Sequence, residues 1–197
     1  QYGAIHRNPV REDHPLQPLT PYALNKTAAE AMYGFYHRVH GVRSIMARIA
    51  NPYGPRSQMK HSKYSMVNWF LRQAMEGKTI RVYGDGHQIR DYIYVEDLAE
   101  ALIRLAETPS AVGQPVNVGS GTGIAFLQMA KTVVETVGRG ETELVPWPAD
   151  YLNIETGDYW FDISRLQGLI QWKPQRSLAE GLAATWNYYR DCLDVYI

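Results

Sequence analysis

Tyr22 and Lys26 stand four residues apart in a segment of helical spacing, so both side chains leave one face of the same helix. A phenol is a poor base at neutral pH, and an ammonium beside it stabilises the phenolate, so the pair suits general acid/base proton transfer. The plain alternative is a solvated lysine beside a half-buried tyrosine. A second group, Arg48 and Asn51, closes the apolar run 42–50 and leads into the turn Asn51-Pro52-Tyr53-Gly54-Pro55. A cation and an amide at the carboxyl end of a buried strand suit a ligand, because open α/β sheets bind ligands there. Equally, Arg48 can cap the sheet edge and Asn51 can satisfy backbone groups of the turn. The third group, Val82 to Arg90, puts the Tyr83 ring, the flexible Gly84 and Gly86, and a guanidinium within a short stretch. A ring offers stacking surface to a base and a guanidinium fork grips phosphates in pairs, although an Arg90 ion pair with Asp91 or Asp97 explains the cation as well.

Other chemistries lack their residues. Gly119-Ser120-Gly121-Thr122-Gly123 follows a strand pattern but reads G-x-G-x-G, not the dinucleotide spacing G-x-G-x-x-G, so a tight turn plus N-cap is expected. No Walker lysine follows it, and no G-x-S-x-G elbow exists. His37 and His40 have no third ligand nearby, so no metal site is expected. Cys192 reads as a packed thiol in the terminal helix.

The elements that position these groups alternate. Thr20 and Pro21 open a helix to about His40, with Leu24, Ala28, Ala31, Phe35 and Val39 as its apolar stripe and Gly41 as its stop. Tyr22, Lys26, Ala29 and Tyr33 lie on a second face that suits a ligand or another subunit. The run 42–50 lacks clean alternation, as expected for a parallel strand covered on both faces. Helices are predicted at about 65–76, 96–107 and 124–137, and strands at 80–83, 91–95 and 115–118. Ser177-Leu178-Ala179-Glu180 is a capping box for a terminal helix carrying Leu182, Trp186, Tyr189, Leu193 and Tyr196. The pattern is that of a doubly wound α/β fold.

Length allows one large domain or slightly more: 197 residues against a typical domain of about 150. Twenty basic and twenty acidic residues cancel, which disfavours nucleic-acid binding by bulk charge. A single cysteine, no signal peptide and no apolar run of membrane-spanning length lead to the expectation of a cytoplasmic protein without a membrane partner. The first 21 residues carry Pro9, Pro15, Pro18 and Pro21 and read as a long surface loop, so an earlier strand or helix is expected to precede Gln1.

Three ordered motifs, Tyr22-Ala-Leu-Asn-Lys26, Arg48-Ile-Ala-Asn51-Pro-Tyr-Gly-Pro55 and Tyr83-Gly-Asp-Gly-His-Gln-Ile-Arg90-Asp-Tyr-Ile-Tyr-Val-Glu-Asp97, resemble the extended short-chain dehydrogenase/reductase family. Within it they look like the nucleotide-sugar epimerases and dehydratases. The resemblance runs from Tyr2-Gly3 to the terminal helix and implies the C-terminal part of a Rossmann-type domain at 1–60 and 89–121. A smaller nucleotide-sugar-binding domain is implied at 61–88 and 122–197. It further implies that Tyr22 is the acid/base at the sugar 4-hydroxyl, that Lys26 favours its phenolate and binds the nicotinamide ribose, and that hydride passes between sugar C4 and NAD. Ile49 and Ala50 would lie near the nicotinamide. Asn51 would face the substrate diphosphate, Val82 and Tyr83 would cradle the base, Arg90 would clamp the diphosphate, and Asp158 would contribute to the nucleotide site.

Two features depart from the family pattern. The glycine fingerprint and the catalytic Ser or Thr fall before residue 1, so the chain looks like a C-terminal portion, inactive alone. In Glu155-Thr-Gly-Asp158 a glutamate stands where an arginine is usual. The expected function is an NAD-dependent 4-epimerase acting on a nucleotide-diphosphate sugar, as a homodimer paired through the helix 22–40. A 4,6-dehydratase on the same scaffold and a non-catalytic nucleotide-sugar-binding module are the alternatives.

Overall fold

The helix α1 (Pro21–His40) begins where Thr20 Oγ1 accepts the Ala23 amide at 3.1 Å and ends at Gly41, whose φ of 67° is the left-handed turn that a Cβ disfavours. A computed structural model describes residues 1–152 and 154–197. The face that α1 turns inward is not its apolar stripe: Ala23, Thr27, Glu30, Gly34 and His37, three or four residues apart, are its more covered positions. Leu24, Phe35 and Val39 stay exposed. This face is held by Glu30, paired with Arg48 of β1, and by His37, which packs against Gly113, an arrangement that a count of apolar residues does not reveal.

Three small β-layers follow. β1 (Met46–Ile49) runs parallel to β5 (Pro115–Val118). β2 (Asn51–Tyr53) runs parallel to β4 (Ile89–Tyr94), on whose other side β6 (Gly123–Ala125) lies antiparallel. β3 (Thr79–Tyr83) runs parallel to β7 (Glu141–Val145). One extended segment therefore pairs with β5 through its first half and with β4 through its second, changing partner at Ala50, whose amide still bonds Val118 O at 2.9 Å. The expected turn at Asn51-Pro52-Tyr53 is thus a short strand. It tolerates Pro52 because β2 is an edge strand with no ladder on its outer side.

The helices α2 (Met66–Met75), α3 (Val95–Ala106), α4 (Phe126–Val137), α5 (Ala149–Leu152), α6 (Ser164–Ile170) and α7 (Leu178–Tyr189) complete an α/β fold. Two apolar cores form. One joins Ala50, Ile93, Leu98, Leu105, Val116 and Leu166 around β1, β5 and α3, and the other joins Phe70, Leu71, Ile80, Met129, Leu182 and Tyr189 among α2, α4 and α7. Tyr2 and Val10 are buried in the first core, and Val10 bridges Phe161, so the proline-bearing N-terminal segment is packed rather than a surface loop. Gly119 to Gly123 lead into β6, and α4 starts only at Phe126. The capping box of α7 forms, with Ser177 Oγ and Glu180 bonded reciprocally, but the helix stops at Tyr189 and the chain folds back, setting Tyr196 Oη 2.6 Å from Tyr188 Oη. β7, α5 and α6 had no expectation from the periodicity. Among the described residues no helix is long and apolar enough to cross a membrane.

Candidate functional site

Tyr22 and Lys26 sit on the first two turns of α1, with Lys26 Nζ 5.5 Å from the centre of the Tyr22 ring, close enough for cation–π attraction. The tyrosine is 72% exposed, and Ile49, at the carboxyl end of β1, is 43% exposed. Ala50 is buried, and its amide is bonded to Val118 O. The exposed phenol and ammonium are hydrogen-bonding groups of the kind that fit ribose hydroxyls, and the exposed Ile49 side chain is an apolar surface of the kind that fits a flat heteroaromatic ring.

Arg48 belongs to a different structure. It is 6% exposed, donates to both oxygens of Glu30 at 2.9 and 2.5 Å, and also donates to Tyr2 Oη at 2.8 Å and Glu12 O at 2.9 Å. Tyr2 Oη in turn donates to Asn117 Oδ1 at 2.6 Å. Burial pushes the Tyr2 phenol up, against the opposing pull of Arg48. The network ties the N-terminal segment, α1 and β1 together, so Arg48 is not presented to a ligand.

Asn51 and Arg90 share a polar cavity of about 90 Å³ with Tyr64, Tyr92 and Phe126. Asn51 Nδ2 bonds Asp91 O at 3.1 Å. The Tyr92 hydroxyl is buried without a hydrogen-bond partner among the described residues, and burial pushes its phenol up, so at neutral pH it stays protonated as an unused hydrogen-bond donor. Three of the five Arg90 N–H donors are engaged within the chain: Nη1 donates to Ile89 O at 2.9 Å and Gly157 O at 3.1 Å and Nη2 to Glu155 Oε1 at 2.5 Å, while the guanidinium lies 5.3 Å from the Tyr159 ring centre. Its ion-pair partner is neither Asp91 nor Asp97. Asp91 is buried against Ser120, Gly121 and Phe161, and Asp97 accepts the amides of Gln175 and Arg176. Asp158 Oδ1 accepts the Ile89 amide at 2.8 Å and so stands one residue from Arg90.

Tyr83 lines a neighbouring cleft of about 650 Å³ with Trp69, Lys78, Arg81, Phe126 and Tyr151. The Tyr83 ring lies 5.6 Å from Trp147 and 5.8 Å from Tyr151. Val82 is fully buried in the core behind Tyr83 and does not line this cleft. Met66 and Phe126 border both the cleft and the Asn51–Arg90 cavity, which makes them one continuous surface of aromatic faces leading to a cation. Among the described residues no group of three or more His, Cys, Asp or Glu gathers to hold a metal ion.

The model of the NAD dependent epimerase/dehydratase family matches residues 1–119. The chain belongs to that family. NAD is the family's cofactor. The chain is similar to a UDP-glucose 4-epimerase of Mycolicibacterium smegmatis, 32% identical over 96% of this chain and 59% of that protein. It is 29% identical to a dTDP-glucose 4,6-dehydratase of Actinoplanes over 96% of this chain and 57% of that protein. Its fold matches the UDP-glucose 4-epimerase of Thermotoga maritima, solved with UDP-glucose, with a TM-score of 0.86 at 28% identity, over 98% of this chain and 60% of that one. The chain thus spans less than two thirds of these relatives.

Of the expected site residues, the structure brings Asn51, Arg90 and Asp158 together and sets Tyr83 in the adjoining cleft. Tyr22 and Lys26 form an exposed pair on α1, while Ile49 lines a cavity of about 200 Å³ with Thr156 and with Tyr159, the ring that lies against Arg90. Tyr92 and Tyr159 escaped the sequence reading because each reads as an alternating strand or loop aromatic. Glu155 was visible only as a departure from the family pattern, with no sign that it meets Arg90.

Proposed function

We propose that the protein carrying this chain is an NAD-dependent nucleotide-sugar 4-epimerase, acting on a nucleotide-diphosphate sugar. The observation that carries the reading is the exposed Tyr22–Lys26 pair on the first two turns of α1, the helix that Glu30 ties to Arg48 of β1. Tyr22 accepts the proton of the sugar 4-hydroxyl and later returns it. Lys26 stabilises the phenolate and donates to ribose hydroxyls, while Ile49 and the backbone of Ala50 form an apolar floor beside the ring. NAD, when bound there, supplies reversible hydride acceptance at sugar C4. Asn51, Tyr83, Arg90 and Asp158 hold the nucleotide diphosphate, with the aromatic cleft for the base. The division into a Rossmann-type part (1–60, 89–121) and a nucleotide-sugar part (61–88, 122–197) belongs to the same reading. So do a cytoplasmic setting and a homodimer paired through α1, which the exposed Leu24, Met32, Phe35 and Val39 support.

The test uses the full protein with NAD and UDP-glucose. Formation of the C4 epimer is expected, and Tyr22→Phe should lower turnover at least about 100-fold while NAD stays bound. Near-normal turnover in that variant overturns the mechanism. The relationship to a dTDP-glucose 4,6-dehydratase keeps a second reading in the same assay: with dTDP-glucose, a product lighter by one water would assign the dehydratase reaction instead.

A further inference from the structure

Arg90 is the cation that the proposed reading assigns to the substrate diphosphate, yet three of its five N–H donors, and its one ion pair, are already engaged within the chain. Two of its donors go to carbonyls and a third to Glu155 Oε1, in an ion pair whose partners are both largely covered. Glu155 also accepts the Gly157 amide at 3.1 Å, which holds its carboxylate in place. With Asp158 one residue away through the Ile89 amide, the cluster holds one cation and two carboxylates. A diphosphate entering there meets a net negative charge, not a free guanidinium. A carboxylate and a phosphate oxygen are alternative acceptors for the same N–H donor, and both cannot occupy it at once. Glu155 is still partly open to solvent and has three rotatable side-chain bonds, so it can leave without unfolding its segment.

We propose that Glu155 is a specificity-determining residue: it occupies the anion position of Arg90 in the free protein and is displaced by the diphosphate of the bound nucleotide. This rests on the nucleotide-sugar reading above. Binding is then an exchange of one anion for another, and a ligand without phosphate leaves the Arg90–Glu155 pair intact. The Tyr159 ring under the guanidinium keeps Arg90 in position during the exchange. Burial pushes the Tyr159 phenol up to about 12, so this support stays neutral throughout the working range.

Calorimetric titration of the full protein, with Glu155 intact and as Glu155→Gln and Glu155→Ala, tests this with UDP and dTDP as diphosphates and uridine and thymidine as phosphate-free controls. Both variants are expected to bind the diphosphates about tenfold more tightly, with nucleoside affinity unchanged. Diphosphate affinity that is unchanged or weaker in both variants overturns the role of Glu155 while leaving the nucleotide-sugar reading standing. Absence of diphosphate and nucleoside binding in all three forms overturns that reading, and the role of Glu155 falls with it.

Discussion

Arg48 and Glu30, eighteen positions apart, form a two-pronged ion pair that joins the inward face of α1 to β1, with Arg48 6% and Glu30 15% exposed. Glu30 lies one turn beyond Lys26 and two beyond Tyr22, so this pair sets the angle at which the helix holds both residues.

Removing one partner leaves a buried charge. Glu30→Ala strands the Arg48 guanidinium with only Tyr2 Oη and the Glu12 carbonyl, and should cost about 3 kcal/mol of stability in a denaturant titration. Burial alone would raise the Glu30 carboxyl, but the hydrogen bonds and charge of Arg48 hold it below its ordinary 4.5. As pH falls, the Glu30 carboxylate therefore takes up its proton in the unfolded chain before it does so in the folded chain. The contribution is complete above about pH 4.5 and declines as pH falls through the lower folded value. Glu30→Gln should flatten that part of the stability profile, and a profile as steep as the wild type would show that other carboxylates carry the acid sensitivity.

Asp91 spans the place where the chain changes strand partners. Its Oδ1 accepts the Ser120 amide and hydroxyl at 2.8 and 2.6 Å, and its Oδ2 accepts the Gly121 and Phe161 amides at 3.1 Å. Only a carboxylate offers two oxygens to four donors. Asp91→Asn turns an NH2 toward two N–H groups and should lower stability by about 3 kcal/mol, read as a drop in thermal midpoint. A midpoint within a degree of the wild type would mean that ordered water or a flipped amide takes over those donors.

Gly181, in the second turn of α7, touches Tyr53 so closely that a Cβ there would lie 2.1 Å from Tyr53 Oη and 2.8 Å from Cζ. Tyr53 ends β2, the strand that starts with Asn51, so α7 abuts the strand whose first two residues line the Asn51–Arg90 cavity. Gly181→Ala should destabilise by about 2 kcal/mol through overpacking, although alanine is the better helix former. Unchanged or higher stability would show that Tyr53 moves aside freely.

These contacts show which parts of the molecule were legible in advance. The Tyr22–Lys26 pair, the caps of α1 and α7 and the parallel strand 115–118 depend on neighbours a few residues away, and local spacing encodes them. The partner of Arg90 lies 65 positions downstream, and nothing near Arg90 or Glu155 announces it. The inward face of α1 is not marked by hydrophobicity, which picks out Leu24, Phe35 and Val39, because what anchors it is the buried Arg48–Glu30 ion pair. The strand at Asn51-Pro52-Tyr53 was hidden by turn residues that an edge strand accepts. The N-terminal prolines suggested exposure, while Tyr2 and Val10 are fixed by contacts to Asn117 and Phe161, more than one hundred positions away.

The misread stripe has a consequence of its own. Leu24, Met32, Phe35, Tyr36 and Val39 expose apolar surface on one helix that touches the rest of the described chain mainly through its opposite, small-residue side. Isolated apolar residues on a surface need no explanation, but several at helical spacing on one element mark a contact face. The proposed homodimer predicts that the full protein elutes as a dimer in light scattering. Phe35→Asp combined with Val39→Lys should then shift it to monomer without altering its circular dichroism, because neither side chain is part of a core. A wild-type monomer at tens of micromolar, or a double variant that stays dimeric, would exclude pairing through α1 and leave this stripe to be covered by another part of the protein.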